Sequence, residues 1–148
     1  MITATLPLTV DEVRQLAADW YRKLDVHAPL ADVLPLLAEE HCEMVFPEAT
    51  LSGLGDFERW YEGVIRIFFD EVHTLKDVTV DITEDGAKVQ VVVYWEASAW
   101  NAPAAKSKRI KLYAYQTWFV QRSHLTGKPV IAKYTVDKLE YCADSALL

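Results

Sequence analysis

The sequence predicts an α+β domain in which three helices come first and an antiparallel sheet follows. Three observations carry that reading. Before residue 72, apolar residues recur at helical spacing, as in Val10, Val13, Leu16, Ala17, Trp20 and Leu24; after it they alternate, as strands require. Turn signals, Glu84-Asp85-Gly86 among them, cut the second half into consecutive strands. The 148 residues show no linker, repeat or low-complexity stretch, so residues 1–148 read as one domain, long enough to bury roughly two-thirds of its unfolded surface.

The first helix starts at Thr9, whose spacing to Glu12 makes a capping box, and runs about four turns to Asp25. Ala28-Pro29 then breaks the chain. LADVLPLLAEE reads as a short second helix with Asp32 near its cap and Pro35 in its first turn, where a missing N–H is tolerated. HCEMVF reads as a short strand halted by Pro47, and Gly53 and Gly55 as a loop. Asp56 is a good N-cap for a third helix, whose stripe is Phe57, Trp60, Tyr61, Val64, Ile67 and Phe68. Strands follow over residues 75–82, 87–100, 108–122 and 130–141. Over 89–95 and 112–120 both faces are largely apolar, so both need cover: the helices on one side, a second copy of the chain on the other, where Tyr113, Tyr115 and Phe119 stand.

A net charge of −7 argues against nucleic acid as a partner, since phosphate contacts need clustered Lys and Arg. The one basic cluster, Lys106, Lys108, Arg109 and Lys111, reads as a solvated strand end. No run approaches the ~20 apolar residues of a membrane span, and MITATLPLTVDE carries no export signal, so no membrane partner and a cytoplasmic location are expected. Cys42 and Cys142 lack metal-ligand spacing and read as free thiols. Five Trp, seven Tyr and five Phe point to an aromatic core or a ring-lined cavity.

The order of elements carries a resemblance. The stretch LADVLPLLAEEHCEMVFPEATLSGLGDFERWYEGV, His73 at the next strand's opening and DITEDGAKVQVVV resemble the SnoaL-like, nuclear-transport-factor-two-like superfamily, the cystatin-like α+β cones, over about residues 9–141. The resemblance implies a cone-shaped α+β barrel, with the three helices in the concave face of a strongly curved antiparallel sheet. It also implies a deep pocket and a homodimer joined through the outer sheet face. Members include steroid isomerases, polyketide cyclases, scytalone dehydratase, epoxide hydrolases, dioxygenase small subunits and binding modules, so fold alone does not choose a function.

Particular residues narrow the choice. The steroid isomerases carry a catalytic aspartate just before the proline that ends the short strand; here that position is Phe46, and a phenyl ring abstracts no proton. In EEHCEMVFPE only His41 and Glu43 share a strand face, too few for a metal site, so neither metal nor cofactor is expected. Met44 and Phe46 read as apolar wall. His124 reads as an exposed turn residue, and His27 as a cap for the first helix's last carbonyls.

His73 stands where the scytalone dehydratase-like branch has an active-site histidine, and Asp25 is the nearest match to the aspartate that pairs with it. A carboxylate on one ring nitrogen fixes the tautomer and frees the other as an acid/base. Leu24 falls where that branch has a tyrosine, with Tyr21 one turn earlier. Gln116, alone among apolar residues on its strand face, would donate a hydrogen bond to a carbonyl oxygen. Trp20, Tyr21, Trp60, Trp95 and Trp118 complete the expected lining.

Two functions stay open on the sequence. One is a dimer that binds a small hydrophobic molecule without catalysis. The other is a cofactor-free lyase or isomerase, dehydratase- or cyclase-like, acting on a hydrophobic carbonyl substrate through His73. They divide on whether Asp25 and His73 meet inside a closed pocket.

Overall fold

In the computed structural model, which describes residues 6–148, helix α1 (Val10–Asp25) opens with the expected capping box. Thr9 Oγ1 accepts from the Glu12 backbone N–H at 3.1 Å, and the Glu12 side chain accepts from Thr9 N–H at 3.1 Å. One face buries Val13, Leu16, Ala17, Trp20, Tyr21 and Leu24. Each large side chain so buried contributes roughly 1.5–3 kcal/mol.

The end of α1 is a Schellman turn. Ala28 N–H reaches Lys23 O at 2.9 Å and His27 N–H reaches Leu24 O at 3.2 Å, with His27 left-handed at φ 50°. The residue expected to cap the helix therefore does so with its backbone, which leaves its ring free for other work. Helix α2 (Leu30–Val33) follows with Pro29, not Asp32, at its N-cap, and Pro35 sits in a 3₁₀ turn (Leu34–Leu36).

Strand β1 (Glu43–Val45) is shorter than expected; residues 50–52, where no strand is expected, form β2 (Thr50–Ser52), paired antiparallel with β1, and Gly53 and Gly55, expected as a loop, lie in the first turn of the helix that follows. Helix α3 (Gly53–Ile67) starts from Ser52 as N-cap, one turn earlier than Asp56 predicts. Asp56 still works at that helix end, because its carboxylate accepts the Ser52 backbone N–H at 3.0 Å. Strand β3 (Phe68–Ile82) follows α3 without a break and begins seven residues before the expected strand; two bulges in it, at Phe69/Val72 and Leu75/Asp77, hide its alternation. Strands β4 (Ala87–Ala99), β5 (Lys108–Arg122) and β6 (Pro129–Tyr141) lie where the alternation puts them. Gly86 closes the β3–β4 turn because a Cβ there would lie 2.1 Å from Val120 O.

The sheet runs β2-β1-β6-β5-β4-β3. It is curved but open, not a closed barrel, and mixed where a purely antiparallel sheet was expected. β1 lies parallel to β6 because the chain leaves the 3₁₀ turn along it, with Ala38 N–H bonded to Ile131 O at 2.9 Å. Val89, Val91, Val93, Ile110, Leu112, Trp118 and Val120 face the helices and are buried, while Tyr94, Tyr113, Tyr115 and Phe119 stand half-buried on the outer face.

Arg122 at the end of β5 ties the start of α1 to the sheet. Its guanidinium reaches both Glu12 oxygens at 2.8 and 2.9 Å and the carbonyls of Leu6, Pro7 and Gly127. The Arg122 hydrogen bonds, aided by those from Thr9, hold the Glu12 carboxyl below its ordinary value of 4.5. A lowered folded-state pKa contributes stability that is complete above the unfolded value and is lost as pH falls through the folded one. Glu12→Gln is therefore expected to lower stability in urea melts at pH 7, and the gap to wild type to close as both are taken below about pH 4.5.

Candidate active site

A cavity of about 150 Å³ opens between α1, α3 and the inner sheet face. Its walls are apolar, with Leu24, Val64, Ile65, Leu112, Val136 and Leu139, and Phe46 stacks on Trp60 at 4.6 Å on one side. Into this apolar space project a few polar groups: Glu71 and His73 from β3, Gln116 from β5, Tyr61 from α3 and Tyr134 from β6.

Asp25 and His73 meet at its edge. β3 is the outermost strand, so the His73 N–H has no neighbouring strand to bond; Asp25, in the last turn of α1, supplies the acceptor. That N–H lies 3.0 Å from each Asp25 oxygen, and His73 Nδ1 lies 2.6 Å from Asp25 Oδ1. A carboxylate accepts, so Nδ1 carries the proton and Nε2 the lone pair; among the described residues Nε2 has no partner. The ring is held between two others, stacked on Tyr21 at 4.7 Å and on Trp95 at 5.9 Å.

A second histidine–carboxylate pair, which the sequence did not reveal, stands beside the first. Glu71 lines the cavity with its side chain only 4% exposed, and its Oε2 lies 2.5 Å from His27 Nε2. Its Oε1 accepts from Trp95 Nε1 at 3.1 Å. Asp70, left-handed at φ 51° in the first bulge of β3, turns the chain so that Glu71 and His73 both face inward while Val72 is exposed. The signal was available: Glu71 has the strand parity of His73, but only once residues 68–74 are read as strand.

Gln116 has its orientation fixed. Its Oε1 accepts from both Tyr21 Oη and Trp118 Nε1, each at 2.9 Å, so a flipped amide would face two donors. The Nε2 end is thus the one offered to the cavity. Trp20, Tyr21, Met44 and Trp118, expected as lining, stand instead behind the wall in the core. Helix and strand periodicity shows which face turns inward but not which inward residue reaches the innermost layer. Phe46, Trp60, Trp95, Gln116 and His73 do line the cavity.

Of the acids in EEHCEMVFPE, Glu48 lines the cavity, and Glu39 and Glu43 are engaged elsewhere. Glu43 pairs with Lys133 at 3.3 Å, Glu39 accepts from Ser123 Oγ, and His41 is exposed. Buried Cys42 donates to Ile131 O at 3.6 Å, and burial pushes its thiol up to about 11.

Burial also raises the Tyr21 hydroxyl well above its usual range, helped by Tyr134 3.3 Å away, and burial raises Tyr134 as well. Absorbance titration of the folded protein is expected to leave both tyrosines un-ionised at pH values where an exposed tyrosine, with a pKa of about 10, is phenolate. Tyr21→Phe is expected to lower stability by about 1 kcal/mol in denaturant melts, since Gln116 loses one of its two donors.

No protein-family pattern matches the chain, and no curated protein resembles it in sequence. Solved structures do resemble its fold. A protein of unknown function with a cystatin-like fold from Nostoc punctiforme aligns with a TM-score of 0.70 at 16% identity, over 97% of this chain and 100% of its own. A candidate scytalone dehydratase from Novosphingobium aromaticivorans gives 0.63 at 15% identity, over 93% and 88%. A hexachlorocyclohexane dehydrochlorinase from Novosphingobium barchaimii gives 0.65 at 14% identity, over 93% and 92%. The architecture is thus that of the cystatin-like, nuclear-transport-factor-two-like α+β fold.

Proposed function

We propose that the protein is a cofactor-free lyase or isomerase that removes a proton beside the carbonyl group of a small hydrophobic compound, with His73 as the base. The observation that carries this reading is the 2.6 Å contact of Asp25 with His73 Nδ1 at the wall of an apolar cavity. Asp25 sets the tautomer, Nε2 takes the proton, and the carboxylate stabilises the imidazolium that forms. The Gln116 amide N–H donates to the carbonyl oxygen and stabilises the enolate as charge moves onto it. A cavity of about 150 Å³ holds one aromatic ring. The names of two structural neighbours, a dehydratase and a dehydrochlorinase, support elimination as the reaction class.

The same apolar lining suits a protein that only binds such a compound, and one substitution separates the two roles. With benzylacetone as probe in deuterated buffer, wild type is expected to exchange the protons beside the carbonyl. His73→Ala is expected to abolish exchange while tryptophan-fluorescence titration keeps affinity within about tenfold, because a base acts in the transition state. Exchange that survives in His73→Ala would overturn His73 as the base, and its absence from wild type would leave binding alone.

The proposal extends to assembly. The half-buried rings of the outer sheet face, with Tyr94 and Tyr113 paired at 4.9 Å, suit a homodimer interface. Sedimentation equilibrium at micromolar concentration is expected to give a dimer; a stable monomer would overturn this part.

A further inference from the structure

The Glu71–His27 pair has no place in proton abstraction by His73, yet it is costly to build. It puts a carboxylate with 4% side-chain exposure into an apolar wall, and it requires a non-glycine residue at φ 50°. Glycine at position 27 would cap α1 without strain, so the ring, not the backbone, accounts for the histidine. The pair also spans the wall. Glu71 lines the cavity, and His27 on its far side has 27% of its side chain exposed to solvent. A single indole positions both acid and base, since Trp95 stacks on His73 and donates Nε1–H to Glu71.

We propose that Glu71 is the acid that protonates a departing oxygen, and that His27 resupplies its proton from solvent. The site then takes a β-hydroxy carbonyl compound and releases the unsaturated carbonyl compound and water. The inference rests on His73 as the base. Three polar contacts match three points of such a substrate: Gln116 Nε2 the carbonyl oxygen, His73 Nε2 the proton on the adjacent carbon, and Glu71 the hydroxyl one carbon further. The bulge at Asp70 supports the last two, because it turns Glu71 and His73, two residues apart on β3, to the same cavity.

The step balances without another reactant. His73 takes the proton, and the C–H electron pair becomes the new C=C bond. The C–O bond breaks, and its oxygen leaves as water with the proton that Glu71 and His27 share across their contact. His27 then returns a proton along the 2.5 Å Nε2–Oε2 line, and His73 releases its own to solvent.

The test uses two probes that separate this inference from the reading it rests on. Benzylacetone, which has no leaving group, reports His73 alone through deuterium exchange. The aldol of benzaldehyde and acetone reports the full elimination through the absorbance of benzylideneacetone. In Glu71→Gln, elimination is expected to fall about 10²–10⁴-fold, the contribution of a general acid, while exchange falls less than tenfold. His27→Gly keeps the helix cap and is expected to lose elimination, with imidazole in the buffer restoring it. A merely structural ion pair would give no such rescue. Parallel loss of exchange and elimination in Glu71→Gln, undiminished elimination in it, or no imidazole rescue of His27→Gly overturns the acid role. So does a wild type that exchanges the ketone but does not eliminate the aldol. Failure of the wild type to exchange benzylacetone overturns the His73 reading itself.

Discussion

The polar end of the cavity depends on where α1 stops. The helix places Asp25 in its final turn, where its own dipole disfavours an anion, and then a left-handed His27 where glycine is the usual residue. Both choices work against the helix locally. Both are explained by β3, which passes beside this end: Asp25 bonds the ring and backbone of His73, and His27 bonds Glu71. Local rules broken together at one point are what a functional site looks like.

That arrangement also resolves a weakness of the sheet. β3 lies at the edge, and an edge strand exposes unpaired backbone groups. Asp25 occupies one of these and in doing so orients the imidazole. A single carboxylate thus stabilises the fold and orients the ring proposed as the base, which couples the geometry of the site to the docking of α1. The opposite end of that helix is fixed in the same manner, by Arg122 reaching across from β5 to Glu12.

Behind the cavity, the aromatic residues act as a scaffold more than as a lining. Trp118 and Tyr21 hold the Gln116 carbonyl oxygen, Tyr21 also stacks on His73, and Trp95 stacks on that ring from the cavity wall. Such large buried rings have few conformations available, so the polar atoms they touch are fixed before any ligand arrives. Preorganised donors of this kind contribute to catalysis because they need no rearrangement as charge develops. The apolar surroundings strengthen every one of these contacts.

Much of this was legible in the sequence. The capping box at Thr9, the turn at Gly86, the long alternating strands and the change of period near residue 72 are local signals, and local sterics and hydrogen bonding determine them. Asp25 and His73 were nameable as a pair by resemblance to a known family, not by spacing. What the tertiary structure alone decided follows from contacts between residues far apart in the chain. β1 runs parallel to β6, and β2 exists, because the chain after the 3₁₀ turn docks on a strand some ninety residues later, Leu37 bridging to Ile131. Glu71 joins His27 because a bulge rotates β3 and α1 ends opposite it. Trp20 and Trp118 are core where Trp60 and Trp95 are lining, since periodicity defines a face but only packing defines depth.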